Sequence, residues 1–102
     1  MCLSNGINYF DTSESYVNGK GEETLGKIFQ ELQEPRQNYV ISTKIWNSPD
    51  PSMNTKANTN RKHVRVSIRN CLKRLQMDYI DIVFAHGYDE ETTIEEICRA
   101  FH

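Results

Sequence analysis

Three short apolar runs, each followed by a helical pattern of apolar residues, divide the chain into three similar units. The first run covers residues 7–10, and the pattern after it predicts a helix from about Glu22 to Gln33. One face of that helix carries apolar residues at the spacing of a buried stripe: Leu25, Ile28, Phe29 and Leu32. Because proline cannot donate a backbone hydrogen bond, we expect Pro35 to stop the helix.

The second unit begins with residues 39–45, whose β-branched composition is typical of a strand. A polar stretch from Asn47 to about Asn60 follows, with two prolines, four asparagines and no apolar rhythm. We expect a long loop there, and loops of that length in compact domains are often lids or binding loops. The next helix should run from about Lys62 to Gln76, with a buried face formed by Val64, Ile68, Cys71, Leu72 and Leu75.

The third unit contains an apolar run at residues 79–85, closed by His86. A third helix is predicted to open at Thr93, because Thr93 and Glu96 match a capping box in which each side chain accepts the other residue's backbone N–H. Its apolar stripe consists of Ile94, Ile97, Cys98 and Phe101.

This threefold alternation of strand and helix predicts an α/β fold with parallel strands and right-handed crossovers. An open doubly wound sheet and part of a (β/α)8 barrel both satisfy the pattern, and periodicity does not choose between them. The chain has no glycine-rich GxGxxG turn after any predicted strand, which argues against a dinucleotide-binding Rossmann sheet.

The composition narrows the class of protein without naming a function. The chain has 102 residues, 37% of them hydrophobic and 25% charged, with a formal net charge of −2. This length is enough for one small domain. The charge does not favour nucleic acid as a partner, since the basic cluster at residues 61–65 is better explained as a solvated helix face. Cys2, Cys71 and Cys98 form no CxxC pair, which favours a reduced, cytoplasmic setting.

The ends and the hydropathy of the chain give two further expectations. No run approaches the length of a membrane-spanning helix, so direct membrane insertion is not expected. The first six residues lack the charged and apolar regions of a signal peptide. Because Gly6 comes so early, we expect the chain to begin near the end of a helix.

Four polar residues lie at or just after the predicted strand ends, where parallel α/β proteins place their sites. Asp11 ends the first run, Tyr16 follows in the loop, Lys44 lies near the end of the second run, and His86 closes the third. Each follows apolar residues, so we expect each to be partly withdrawn from water. A phenol is a poor proton donor at neutral pH, and an ammonium held beside it favours loss of its proton. The set therefore suits proton delivery to a carbonyl oxygen.

Each of these residues also has a simpler explanation. Asp11 could cap a turn, Tyr16 could be an aromatic cover for a loop, and His86 could be a structural histidine. Lys44 is harder to explain in this way, because a charge within an apolar strand is costly unless it is paired. From the residues alone the functional and structural interpretations are about equally supported.

Several segments together resemble the aldo-keto reductase family. Residues 6–16, GINYFDTSESY, resemble the family's signature after the second barrel strand, and residues 22–26, EETLG, continue it as ExxLG. Residues 42–44, STK, resemble the strand with the catalytic lysine, and residues 72–81, LKRLQMDYID, resemble the segment before the catalytic histidine. The match covers essentially the whole chain in order.

The resemblance implies a role for each residue of the predicted site. Tyr16 would be the general acid, Lys44 its activating partner, Asp11 the ion pair of that lysine, and His86 the group that orients a small carbonyl substrate. Hydride would come from NADPH, with Asp11 and His86 also against its nicotinamide end, and no metal would be needed. Trp46 would line the substrate pocket. The fold would be a partial (β/α)8 TIM barrel, roughly strands 2 to 4 with their helices.

Within the family the sequence most resembles the branch of potassium-channel β subunits, notably in residues 61–63, 83–89 and 95–100. Animal members of that branch tend to have asparagine where this chain has His86, so the histidine favours a catalytic ancestor. The resemblance to this branch leaves two kinds of assembly open for a full-length relative: a homo-oligomer, or a complex with a channel partner.

The resemblance also implies that residues 1–102 are a fragment of an NADP-dependent oxidoreductase domain. A complete barrel takes about 250 residues, and the family's later strands bind the NADPH diphosphate and 2′-phosphate. We expect the fragment alone to be unstable or to associate, and to be inactive, because three strands leave open edges. Three interpretations stay open: a carbonyl reductase, a regulatory channel β-subunit-like protein, and a truncated gene product without a function of its own.

Overall fold

A computed structural model describes residues 2–50 and 58–102, and in these residues strands and α-helices alternate as predicted. The strands are β1 (Tyr9–Asp11), β2 (Val40–Ile45) and β3 (Ile82–Ala85), and the α-helices are α1 (Lys20–Leu32), α2 (Arg61–Leu75) and α3 (Ile94–Phe101). Short 3-10 helices, Leu3–Asn5 and Arg36–Asn38, precede β1 and β2. The predicted α/β class is confirmed.

The three strands form one open parallel sheet in the order β1-β2-β3. Ser42 of β2 lies opposite Asp11 of β1 and opposite Ile82 of β3. Because the strands are parallel and sequential, their carboxyl ends meet at one edge of the sheet. We call this edge the rim: the ends of β1, β2 and β3 and the residues that directly follow them.

Helices α1 and α2 cover one face of the sheet, and the core lies between them and the sheet. Phe29 of α1, Ile41 of β2 and Leu75 of α2 are buried there, and the Phe29 ring stacks on Tyr39 with centroids 3.9 Å apart. Side chains of the opposite face alternate with these along each strand. That opposite face is largely uncovered: Tyr9 is 46% exposed and Phe84 43%. We call it the open face of the sheet.

Two predicted boundaries differ from the structure for identifiable reasons. Helix α1 ends at Leu32 because Gln33 adopts a left-handed conformation (φ 50°) and its N–H bonds to the Phe29 carbonyl, two residues before Pro35. Strand β3 starts at Ile82 rather than at residue 79. Just before this start, the Asp81 carboxylate accepts the Ile41 backbone N–H at 2.8 Å. A side chain thus takes the place of a backbone hydrogen bond between β2 and the residues before β3.

The predicted apolar stripes are only partly buried. Phe29 is 5% exposed, but Ile28 and Leu32 on the same stripe are 44% and 54% exposed, and Ile94 of α3 is 62% exposed. A helix stripe is buried only where another element packs on it, and these helices contact one another along part of their length. The apolar spacing therefore predicts the helices correctly but predicts more burial of their apolar residues than the structure shows.

The predicted capping box is half correct. The Thr93 hydroxyl accepts the Glu96 backbone N–H at 3.3 Å, so Thr93 is the N-cap of α3. The Glu96 carboxylate, however, accepts the backbone N–H of Arg61 at 3.1 Å. It therefore caps the start of the neighbouring helix α2 and ties the second and third units together.

A buried acid joins α1, β2 and α2. Glu22 is fully buried, and its carboxylate accepts the Thr43 hydroxyl at 2.5 Å and the Arg74 Nε–H at 2.7 Å. Gly26 lies one turn later, and a Cβ there would be 2.4 Å from the Leu75 carbonyl oxygen. In the ExxLG pattern, Glu22 thus bonds α1 to β2 and α2, and Gly26 allows α1 and α2 to pack closely.

The loop predicted between residues 47 and 60 contains no helix or strand at residues 47–50 or 58–60. Its central part, including Pro51, lies outside the described residues. Within the described ranges, no helix combines the length and the apolar character needed to cross a membrane.

Candidate active site

The four polar residues predicted to share the rim lie together there. Asp11 is the last residue of β1, Lys44 is the penultimate residue of β2, and His86 directly follows β3. Tyr16 lies in the loop between β1 and α1, and its ring is 5.9 Å from the His86 ring in an edge-on arrangement. The parallel register therefore gathers residues that are up to 75 positions apart in the sequence.

Lys44 is the centre of the cluster. Its ammonium donates to the Asp11 carboxylate in a salt bridge, to the Thr12 carbonyl at 2.8 Å and to the Tyr16 hydroxyl at 3.2 Å. An ammonium has three N–H donors, so each is used by a different acceptor. This arrangement fixes the direction of the lysine charge relative to the phenol.

Asp11 is held from a second side by Ser42. The Ser42 hydroxyl donates to the other Asp11 oxygen at 2.5 Å and accepts the Tyr9 hydroxyl at 2.9 Å. Burial alone would raise the pKa of Asp11, but the hydrogen bonds from Lys44 and Ser42 outweigh it and hold that pKa below its ordinary value. The pair is therefore ionised at neutral pH.

The pKa of Lys44 shifts in the opposite direction. Burial would lower the pKa of the ammonium, but hydrogen bonds to Asp11 and Tyr16 outweigh burial and raise it. Lys44 thus stays charged across the physiological range. A permanent positive charge beside the Tyr16 oxygen favours any state in which that oxygen carries negative charge.

The environment of His86 and Trp46 completes the rim. The His86 Nδ1 lies 3.1 Å from the hydroxyl of Ser13, which is fully buried. The Trp46 indole packs against Gly87, where a Cβ would be 2.7 Å from the ring. Trp46 therefore lies beside the residue that follows His86.

The rim residues are withdrawn from water only in part, and Lys44 more than the other three. The side chain of Lys44 is 17% exposed, but that of Asp11 is 39% exposed, Tyr16 is 42% exposed and His86 is exposed. These three lie at the border of the open face, which the described residues leave uncovered. Apolar strand residues protect a side chain only when a second layer covers the same face.

Sequence reasoning missed a buried contact between an acid and a histidine behind the rim. Glu14 and His63 are both fully buried, with the Glu14 Oε1 3.2 Å from the His63 Nε2. The same oxygen accepts the Trp46 backbone N–H at 2.8 Å. Burial would raise the pKa of Glu14, but its hydrogen bonds, led by that of His63, hold it below the ordinary value. The contact joins the loop after β1 to α2 and to Trp46.

We expect acid to break the Glu14–His63 contact and thereby to change the surroundings of Trp46. A carboxyl whose pKa is lowered by folding stabilises the folded state above its unfolded pKa, ordinarily 4.5, and loses that contribution as the pH falls through the folded value. Trp46 is the chain's only tryptophan, so its fluorescence should change in this acidic range. Glu14→Gln should abolish that transition, and Glu31→Gln, on the exposed side of α1, should preserve it. An unaltered transition in Glu14→Gln would show that another group controls it.

A comparison of the sequence with models of protein families decides the family. The model described as "Aldo/keto reductase family" matches residues 1–102. The chain belongs to the aldo/keto reductase family. The resemblance drawn from the sequence is therefore confirmed, and the cluster of Asp11, Tyr16, Lys44 and His86 lies where parallel α/β barrels place their sites.

Similar curated aldo/keto reductase relatives are named as potassium channel subunits. A probable voltage-gated potassium channel subunit beta of Arabidopsis thaliana is 44% identical over 102 residues, which are 99% of this chain and 30% of that protein. A protein of the same name from Oryza sativa subsp. japonica is 41% identical over the same shares. The putative counterpart of Schizosaccharomyces pombe is 40% identical over 94% of this chain and 28% of its own length. The chain thus spans about a third of these relatives.

Solved aldo-keto reductases have the same fold. The thermostable aldo-keto reductase Tm1743, in a complex with the inhibitor epalrestat, superposes with a TM-score of 0.80 at 30% identity, over 97% of this chain and 32% of its own. The aldo-keto reductase AKR11C1 from Bacillus halodurans, in its holo form, gives 0.82 at 31% identity, over 98% and 33%. The predicted partial (β/α)8 barrel is confirmed: the three units match about a third of such barrels.

Proposed function

We propose that this chain contributes the catalytic rim of an NADPH-dependent reductase that converts aldehydes or ketones to alcohols. The observation that carries the proposal is the contact of the Lys44 ammonium with both the Asp11 carboxylate and the Tyr16 hydroxyl. A structural lysine needs a partner for its charge, and Asp11 already supplies one. The additional contact with a phenol that is 42% exposed at the rim is what proton transfer to a substrate requires.

The side chains divide the chemistry as follows. Tyr16 donates its hydroxyl proton to the carbonyl oxygen, and the negative charge left on the phenol oxygen is stabilised by the Lys44 ammonium. Asp11 keeps that ammonium charged and directed, and Ser42 keeps Asp11 in place. His86 lies against the Tyr16 ring and orients the carbonyl oxygen.

The residues of the rim fit one end of the cofactor. When NADPH is bound, it supplies the hydride that the protein side chains lack. Asp11 and His86 border the open face and would contact the nicotinamide end, and Trp46 would limit the substrate pocket. The Lys44 ammonium has its three donors committed, so it does not offer a phosphate site. The cofactor phosphates would be bound by barrel segments other than this third.

The proposal is tested in a chimera in which this chain replaces the matching third of Tm1743, whose thermostability favours tolerance of the exchange. We call it the barrel chimera. We expect it to oxidise NADPH in the presence of an aldehyde, and Tyr16→Phe to lower kcat by about 10²- to 10⁴-fold because the proton donor is lost. Tyr79→Phe is the matched control, since Tyr79 precedes β3, on the side of the strand away from the rim, and is 47% exposed. Equal rates for Tyr16→Phe and the parent would refute the proposal.

The 102 residues by themselves should neither bind NADPH tightly nor turn over an aldehyde. The open face exposes Tyr9, Ile82 and Phe84, and the edges of β1 and β3 have no partner strand in the described part of the chain. NADPH fluorescence with the purified chain measures this directly. Micromolar binding together with Tyr16-dependent turnover would show that the chain completes a site by association.

A regulatory role as a channel β-subunit-like protein is the second candidate. The observation that favours it is the 44% identity to the Arabidopsis protein named as a probable potassium channel subunit. We propose a cytoplasmic protein in either case, because its three cysteines are free. If the barrel chimera binds NADPH but shows no Tyr16-dependent turnover, the regulatory function is favoured over the reductase.

A further inference from the structure

Ser13 contacts the predicted carbonyl-orienting residue from inside the protein. It follows β1 in the loop that leads to Tyr16, and none of its surface is exposed. Its hydroxyl oxygen lies 3.1 Å from the His86 Nδ1, across 73 positions of sequence. A buried hydroxyl in contact with one ring nitrogen can decide which nitrogen carries the hydrogen.

The hydrogen bonds of the Ser13 hydroxyl can be accounted for one by one. A hydroxyl has one hydrogen to donate and two lone pairs. The Ser15 backbone N–H donates to one lone pair at 3.3 Å, and the Ser15 hydroxyl, 3.0 Å away, can donate to the other. With the Ser15 hydroxyl as that donor, the remaining hydrogen has two acceptors within reach: the His86 Nδ1 at 3.1 Å and the Lys44 carbonyl at 3.3 Å.

The imidazole is the better acceptor for this hydrogen. The Lys44 carbonyl already accepts the Glu14 backbone N–H at 3.2 Å, so it does not depend on Ser13. The Nδ1 distance is shorter. With the hydrogen directed at Nδ1, the two Ser15 donors can fill both lone pairs of the Ser13 hydroxyl, whereas a hydrogen on Nδ1 would compete with them for those lone pairs.

We infer that Ser13 is a positioning residue that holds neutral His86 in the tautomer protonated on Nε2. In that tautomer the ring has an N–H to donate to the oxygen of a carbonyl substrate, the same oxygen that accepts the Tyr16 proton. The alternative tautomer would present a lone pair to that oxygen and repel it. The inference rests on the proposed reductase function and adds to it the residue that prepares His86.

The tautomer is measured by ¹⁵N NMR of the full 102-residue chain labelled at histidine. If the chain associates, the same ring-nitrogen shifts are recorded from the sedimented protein in the solid state. His86→Asn identifies the His86 signals among those of the three histidines. We expect protonated Nε2 and hydrogen-bonded Nδ1 in the parent, and a shift of the Nδ1 signal towards the value of a free ring nitrogen in Ser13→Ala.

Ser4→Ala is the control, because Ser4 is an exposed serine before β1, at the end of the sheet opposite the rim. It should leave the His86 tautomer unchanged. Protonation of Nδ1 in the neutral parent ring would overturn the inference. So would Ser13→Ala signals identical to those of the parent.

Kinetics of the barrel chimera separate this inference from the function on which it rests. Ser13→Ala should lower kcat/KM by about 10-fold, the effect of one lost hydrogen bond, while Ser4→Ala leaves it unchanged. Turnover that depends on Tyr16 but not on Ser13 would refute the positioning role alone. Turnover that is independent of Tyr16 would refute the reductase, and the NMR result would still decide whether Ser13 fixes the His86 ring.

Discussion

Lys44→Met is expected to lower kcat of the barrel chimera by about 10²- to 10⁴-fold while leaving the fold intact. The substitution keeps an unbranched side chain of similar length and removes the charge that stabilises the Tyr16 oxygen during proton transfer. It also removes the hydrogen bonds to Asp11 and to the Thr12 carbonyl. Because Asp11 is 39% exposed and retains its bond from Ser42, loss of the salt bridge should cost little stability.

Steady-state rates and thermal melting of the same preparations distinguish the two effects. Lys73→Met is the matched control, since Lys73 is exposed on α2 and lies outside the rim. It should match the parent in both measurements. A Lys44→Met chimera that retains a third or more of the parent kcat would remove Lys44 from the proposed mechanism. A chimera that loses its melting transition would instead show that Lys44 is a structural residue.

The sequence predicted the order and type of the elements because each signal is local. The apolar spacing of α1 and the β-branched run of β2 depend on neighbouring residues alone. The burial of the same residues depends on other elements, which explains why Ile28 and Leu32 are exposed although their spacing is that of a core stripe. Glu96 shows the same limit: its spacing from Thr93 predicts a local cap, and its carboxylate bonds to α2.

The residues of the predicted site could be placed at one end of the sheet because strand ends converge in a parallel sheet. Asp11, Lys44 and His86 could be placed at one rim from the strand pattern alone, without knowledge of any distance. Their supports could not be placed in this way. Ser42 was detectable in principle, because it lies two residues before Lys44 and so on the same face of β2. Ser13 and Glu14 lie in an irregular loop, where no periodicity fixes the direction of a side chain.

Loss of one partner of the buried Glu22–Arg74 pair is expected to lower the stability of the fold strongly. Glu22 is fully buried and the Arg74 side chain is 14% exposed. Burial would lower the pKa of Arg74, but its hydrogen bond to Glu22 outweighs burial and raises it, so the guanidinium stays charged. Glu22→Leu should therefore destabilise the barrel chimera by about 3–5 kcal/mol, because it leaves that charge unpaired inside the protein.

The double variant Glu22→Leu/Arg74→Met decides whether the intact pair stabilises the fold or whether only the loss of one partner destabilises it. Replacing both charges by apolar side chains removes the unpaired guanidinium, so the double variant should recover most of the lost stability. The measurement is urea unfolding followed by circular dichroism, with Glu23→Leu on the exposed side of α1 as the control for the added apolar residue. Should the double variant be as unstable as Glu22→Leu, the cost would come from the lost hydrogen bond to Thr43 instead. Glu22 would then stabilise β2, the strand that carries Lys44, through Thr43 more than it stabilises the contact between α1 and α2 through Arg74.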